Sequence, residues 1–230
     1  MPDIQIASPD GRFSAYLARP TKTPAPALLV IQEVLGVNQN MRQLCDSFAE
    51  AGYLAVCPDL FWRQEPGVQL SDKTEADLPK AMALRQGFDQ EKGIADLLAT
   101  AAHLKGMKEC NGRIGSVGYC LGGRLAFLLA ARSELAAHVC YYGTGLDRVL
   151  NEASAIKRPL LMHIPEDDQH VPAEVQKAVR QAVAGNAQVT VHAYPGCGHA
   201  FARPGSRFRN PTVAEQADGR TAAFLKKHLG

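Results

Sequence analysis

Short, continuously apolar runs alternate with longer segments of helical period along most of this chain. That alternation restricts it to an α/β fold with a mostly parallel central sheet and helices on both faces. Ala27-Leu28-Leu29-Val30-Ile31 is apolar at every position, as a strand buried on both sides must be. Met41, Leu44, Cys45, Phe48 and Ala49 then follow helical spacing, with Asn40 placed to cap the start and Gly52 to end it. Leu54-Ala55-Val56-Cys57 reads as the next strand, stopped by Pro58. One helical stretch runs from Leu84 through Phe88, Ile94, Leu97, Leu98 and Ala101 to Leu104. Strands are expected at 113–119, 138–142, 159–163 and 188–194, with a helix at 121–131 and another that Pro172 opens and Gly185 closes. Thr212-Val213-Ala214-Glu215 has the form of a capping box, so a last helix is expected to reach Leu229. A sheet of about seven or eight strands follows from this order.

The chain has 230 residues, 46% of them apolar, which is enough for one core, and residues 1–230 are expected to form a single domain. A net charge of +2 supplies no field to attract nucleic acid or an anionic membrane, so neither is an expected partner. Met1-Pro2-Asp3-Ile4-Gln5 lacks the basic and apolar segments of a secretory signal, and no apolar run is long enough to span a bilayer. A cytoplasmic location is expected. The six cysteines should then be reduced thiols, with Cys45, Cys57 and Cys140 inside apolar patterns as small core residues. No Cys-x-x-Cys pair occurs, and no metal site is expected. Residues 59–79 show no period, and such a long connection is either a substrate lid carrying Trp62 or an excursion with Trp62 packed back on the body.

Gly118-Tyr119-Cys120-Leu121-Gly122-Gly123 stands between an expected strand and an expected helix, where a glycine-flanked nucleophile elbow belongs. Side chains at the flanking positions would collide with the strand and helix, which is why glycines stand there. The N–H of Leu121 would then open the helix and face the oxyanion, and the helix dipole would favour a thiolate at Cys120. A thiol nucleophile needs a base, and the base an orienting acid. Gly196-Cys197-Gly198-His199 follows the last expected strand and supplies the base, His199. Asp168 follows the strand before it; Asp167 and Glu166 are adjacent alternatives, and Asp168 is preferred because it stands three residues before Val171-Pro172. Glu33, in Gln32-Glu33-Val34-Leu35-Gly36, is either a carboxylate that tunes the thiol or a surface acid at a strand end, and Val34 is the expected second oxyanion donor.

Gln32-Glu33-Val34-Leu35-Gly36-Val37-Asn38, Cys57-Pro58-Asp59-Leu60, the elbow, Tyr141-Tyr142-Gly143 and Gly198-His199-Ala200-Phe201-Ala202-Arg203 together resemble the dienelactone hydrolases, a family of α/β-hydrolase fold. The resemblance implies a monomeric, cofactor-free hydrolase of a small ester or lactone, which opens a carboxylate-bearing enol-lactone with Cys120 as nucleophile. It also implies that Glu33 holds the resting cysteine and moves when substrate binds. Arg203, Arg85, Tyr141 and Trp62 are the substrate contacts expected on this basis. The position aligned with the family's second carboxylate-binding arginine is Leu78, and Pro165 stands where a glycine is usual. Two rival readings remain: an esterase of different acyl specificity, and a non-catalytic thiol sensor or binding module on the same scaffold.

Overall fold

The computed structural model describes residues 3–230. Met1 and Pro2, the first residues of the segment that lacks the form of a secretory signal, lie outside the described residues. The chain divides into two compact units, Met1–Ile114 and Gly115–Gly230.

In the first unit the strands run in the order β1-β2-β4-β3. β1 (Asp3–Ser8) and β2 (Gly11–Ala18) form an antiparallel hairpin beyond the strands expected from the sequence. Apart from Ala18 at its end, only alternate residues of it are buried, Ile6 opposite Phe13 and then Ala15 and Leu17, so its apolar signal is diluted by the outward-facing side chains between them. β2 continues antiparallel against β4 (Leu54–Pro58), and β4 lies parallel to β3 (Ala25–Ile31). Between them runs α1 (Gln39–Glu50), which is capped by Asn38 and not by Asn40. Asn38 Oδ1 accepts the Met41 N–H at 3.2 Å while Nδ2 donates to Leu70 O at 2.8 Å, a tertiary bond that only Asn38 makes. The stretch expected as one helix is two, α2 (Asp77–Gln86) and α3 (Gln90–Lys105). Gly87 ends the first, and Asp89 restarts the second by accepting the N–H groups of Glu91 and Lys92.

Residues 59–76, though without regular structure, are fastened to this unit. Asp59 accepts the N–H groups of Phe61 and Gly67, Gln32 Oε1 accepts that of Leu60, and Leu70 N–H donates to Leu35 O. Gly36 has φ +76°, and a Cβ there would sit 2.0 Å from Val68 O, so this close approach requires glycine. Trp62 stacks on Phe13 at 5.7 Å and donates its indole N–H to Asp96 at 2.9 Å. Of the two arrangements open to it, it takes the one packed on the body.

In the second unit β5 (Cys110–Tyr119, whose start belongs to the first unit), β6 (His138–Tyr141), β7 (Leu160–Pro165) and β8 (Val189–Tyr194) lie side by side in parallel. Tyr119 pairs in register with Tyr141, Tyr141 with His163, and Pro165 with Tyr194, so β5 and β6 end level with His163 and β7 and β8 end together a little further on. The loops that leave those ends therefore share one edge, where parallel sheets place their sites. α4 (Leu121–Arg132) follows β5, α5 (Ala173–Val183) follows β7, and α6 (Pro211–Leu229) closes the chain. The cap of α6 is Asn210, whose side chain accepts the Val213 N–H at 3.2 Å, with Pro211 opening the helix. Thr212 thus falls inside α6, and the expected capping box does not form. Pro172 is likewise the residue before α5 and not its first. The fold is the α/β-hydrolase fold expected, with a mostly parallel sheet. No helix among the described residues is long and apolar enough to cross a membrane.

Candidate active site

β5 ends at Tyr119 and α4 begins at Leu121, which leaves Cys120 alone to turn the chain, at φ 55° and ψ −113°. The turn can close this tightly only because Gly118 and Gly123 carry no side chain. A Cβ on Gly118 would lie 1.9 Å from Gly122 O, and one on Gly123 would lie 2.7 Å from Tyr141 O. The elbow is braced by its neighbour strand, since Cys120 N–H donates to Tyr141 O at 3.1 Å and Cys120 O accepts the Thr144 N–H at 3.2 Å. Leu121, as the first residue of α4, has an N–H with no acceptor inside the helix.

Two loops bring the acid and base together at the same edge. After β7, Glu166 N–H donates to Tyr194 O at 3.0 Å and Asp167 N–H to Cys197 O at 2.9 Å, which zips this loop to the one after β8. Asp168 then points inward, with its side chain fully buried and its Oδ2 2.7 Å from His199 Nδ1. Its two neighbours take other positions: Asp167 is exposed, and Glu166 pairs with Arg180 at 3.4 Å. His199 lies between Asp168 and Cys120, hydrogen-bonded to both. Burial works against its charged form, but the Cys120 thiolate and Asp168 outweigh that and push its pKa up to about 10. The arrangement therefore favours the charged form of His199. Burial pushes the pKa of the Cys140 thiol up to about 12 and raises that of Cys197 as well.

Around this trio lie residues that sequence reasoning did not single out. The Tyr142 ring stands edge-on to His199 at 5.0 Å, and the His170 ring edge-on at 4.7 Å. Thr144 Oγ1 lies 3.7 Å from Cys120 Sγ. Tyr141, expected at the substrate, is in the core: its hydroxyl donates to Asp218 Oδ1 at 3.0 Å and meets Thr221 at 2.7 Å, while its ring stacks on Tyr119. Period-two alternation at the end of β6 gives the reason, since successive side chains take opposite sides and the one beside His199 is Tyr142. Arg203 is buried, its N–H donating to Ala200 O at 3.0 Å in the turn that follows His199.

The remaining candidates belong to the first unit. Glu33 is 2% exposed, which removes the reading of a surface acid, and Val34 follows it in the loop after β3. Arg85 is half-buried on α2, Leu78 on the same helix is 58% exposed, and Trp62 is held by Phe13 and Asp96. Among the described residues no group of three or more His, Cys, Asp or Glu side chains is placed to hold a metal ion.

Against this geometry the comparisons with known proteins are specific. The pattern of the dienelactone hydrolase family matches residues 13–229. The chain is 53% identical to a protein of Azospirillum brasilense, provisionally named a carboxymethylenebutenolidase, with both chains covered in full. It is 40% identical to the carboxymethylenebutenolidase of Pseudomonas putida, over 96% of this chain and 94% of that one. A crystal structure from Klebsiella pneumoniae, provisionally named a dienelactone hydrolase, superposes with a TM-score of 0.88 at 28% identity and covers 98% of each chain.

Proposed function

Because the chain belongs to the dienelactone hydrolase family, and so to the carboxylic ester hydrolases, we propose that it opens a small enol-lactone or ester with Cys120 as the nucleophile. The observation that carries this reading is His199 held between the buried Asp168 and the elbow thiol. The thiolate adds to the acyl carbon, and the Leu121 N–H donates a hydrogen bond to the developing oxyanion. As the carbon–oxygen bond of the lactone or ester breaks, His199 gives its proton to the departing oxygen. Water, deprotonated by His199, then attacks the thioester, and Cys120 leaves as thiolate. Asp168 keeps the imidazole in one tautomer throughout. From the family pattern, the Val34 N–H is the second oxyanion donor and Glu33 tunes the resting thiol. No metal or organic cofactor enters these steps.

The relatives' name supplies the substrate class, a carboxylate-bearing lactone, and Arg203 is the residue we assign to that carboxylate. A guanidinium grips a carboxylate through two parallel hydrogen bonds, worth about 1.5–3 kcal/mol when shielded. Leu78 favours a second reading, an esterase of different acyl specificity, because it puts an exposed apolar side chain where the family carries a second arginine. The test is kcat/KM for dienelactone and for a carboxylate-bearing ester and its neutral methyl ester, in wild type, Cys120→Ala and Arg203→Ala. Loss of all turnover in Cys120→Ala with anion preference lost in Arg203→Ala supports the first reading. Equal turnover of neutral and anionic esters in wild type replaces it with the second. Turnover that survives in Cys120→Ala removes the nucleophile assignment. We also propose that the chain works as a single-domain monomer in the cytoplasm; sedimentation velocity tests the oligomeric part.

A further inference from the structure

The loop that leaves β6 touches the nucleophile twice. Its backbone does so through the Thr144 N–H, which donates to Cys120 O at 3.2 Å. Its side chain does so through Thr144 Oγ1, 3.7 Å from Cys120 Sγ, within hydrogen-bond range for the larger sulfur atom. Thr144 is 1% exposed, so water does not compete for that hydroxyl. The approach is enforced by a glycine: a Cβ on Gly143 would lie 2.8 Å from Cys140 Sγ and 3.2 Å from the Arg124 N atom, so the loop can press against the start of α4 only without a side chain there. Gly145, at φ 70°, turns the chain away immediately afterwards.

We propose that Thr144 is a positioning residue for the proposed reaction, donating its hydroxyl hydrogen to the Cys120 thiolate and fixing the direction of the sulfur lone pairs. The direction of the bond follows from the proton count. Once His199 holds the proton, the sulfur has none to give, so the hydroxyl is the donor and the thiolate the acceptor. A bond that exists in this form only with the thiolate stabilises it relative to the thiol. Of the other titratable or charged groups of the second unit, His199, with Asp168 behind it, is hydrogen-bonded to this sulfur, the Tyr142 and His170 rings stand against His199, and Arg124, one turn along α4, carries its guanidinium against Gly145. His199 contributes charge and Thr144 contributes direction. The two roles are separable, since a valine at 144 keeps the shape and the imidazolium while removing the donor.

This inference rests on the reading of Cys120 as the nucleophile, and the two are tested by different measurements. The rate of Cys120 alkylation by iodoacetamide, followed against pH with peptide mapping, gives the thiolate titration without any substrate. In Thr144→Val and Thr144→Ala the midpoint should rise by about one pH unit, so that alkylation below the wild-type midpoint slows about tenfold. Thr144→Ser, which keeps the hydroxyl, should restore the wild-type curve. Hydrolysis should follow, with kcat lowered at low pH, recovered at high pH, and KM unchanged. If Thr144→Val does not fold, the serine and alanine variants decide alone. An alkylation curve in Thr144→Ala that overlies wild type, or one in Thr144→Ser that shifts as far as the alanine, overturns the proposal. Hydrolysis surviving in Cys120→Ala would instead sink the nucleophile reading and leave the alkylation curves to be judged by themselves.

Discussion

Asp168 meets His199 with one carboxylate oxygen and anchors itself with the other: Oδ2 lies 2.7 Å from His199 Nδ1, and Oδ1 accepts the His170 N–H at 2.8 Å. Both oxygens are thus acceptors, and an amide in this place must turn its NH2 toward one of two donors. Asp168→Asn should therefore lower kcat by about 10⁴-fold through loss of the correct tautomer. Asp167→Asn, at an exposed neighbour, should change it less than about twofold. Circular dichroism on both variants separates a catalytic loss from unfolding, and the reverse ranking would move the orienting acid by one residue.

The thiols differ enough to be told apart chemically. Cys45, Cys57, Cys140 and Cys197 are buried, as is Cys120, and burial raises the pKa of Cys45, Cys140 and Cys197, whereas Cys120 alone is hydrogen-bonded to His199. Iodoacetamide at pH 7 should label Cys120 first, with Cys110, the most accessible of the rest, as the only competitor in rate. Peptide mapping after partial inactivation reads the order. Full inactivation with the peptide of Cys120 unlabelled would remove it as the nucleophile.

Gly118→Ala tests the elbow without touching any reactive group. The added methyl would meet Gly122 O at 1.9 Å, a backbone atom that cannot swing aside. Either β5 or the start of α4 must shift, at a cost of about 3 kcal/mol or more. A urea midpoint within error of wild type would show that the elbow has slack.

Stability should fall in acid for a reason unrelated to the site. His138 and His163 are buried, and burial pushes the pKa of each down to about 3. Each stays neutral in the folded chain while the unfolded chain takes up a proton below about pH 6.5. A lowered histidine pKa therefore contributes stability that is present above pH 6.5 and is lost as pH falls toward 3, with a slope of about 1.4 kcal/mol per pH unit per histidine. His138→Leu should flatten that limb by about one proton, at a constant cost for the Ser116 hydroxyl that now meets His138 at 2.8 Å. Urea midpoints between pH 4 and 7 measure the slope, and an unchanged slope in the variant would rule out His138 as a contributor.

How far the sequence could be read follows from what each feature depends on. The elbow was legible because sterics leave glycine as the only occupant of Gly118, and His199 because it follows an apolar strand through Gly196-Cys197-Gly198. The cap of α1 was not, because Asn38 and Asn40 are equal in propensity and the bond from Asn38 to Leu70 O, far along the chain, decides between them. The division of α2 from α3 was hidden by an apolar period that runs across Gly87. At the site, Tyr141 and Tyr142 are indistinguishable by type, and only the side on which β6 ends sends Tyr142 to His199. Thr144 carries no signal at all, since its place depends on how closely Gly143 lets one loop approach one helix.

Among the described residues, positive φ angles outside glycine fall on Cys120, Tyr142 and Ala200, which are the proposed nucleophile, the ring against the base and the residue after the base. A non-glycine residue held in this way costs on the order of 1–3 kcal/mol. Under mutational drift that pressure is always present, and packing and selection for turnover oppose it. Ala200→Gly is one base change away in any alanine codon, and it relaxes the backbone at the loss of one methyl group. In descendants that no longer need to hydrolyse anything, glycine should therefore appear at position 200 and at the elbow before the core of either unit decays.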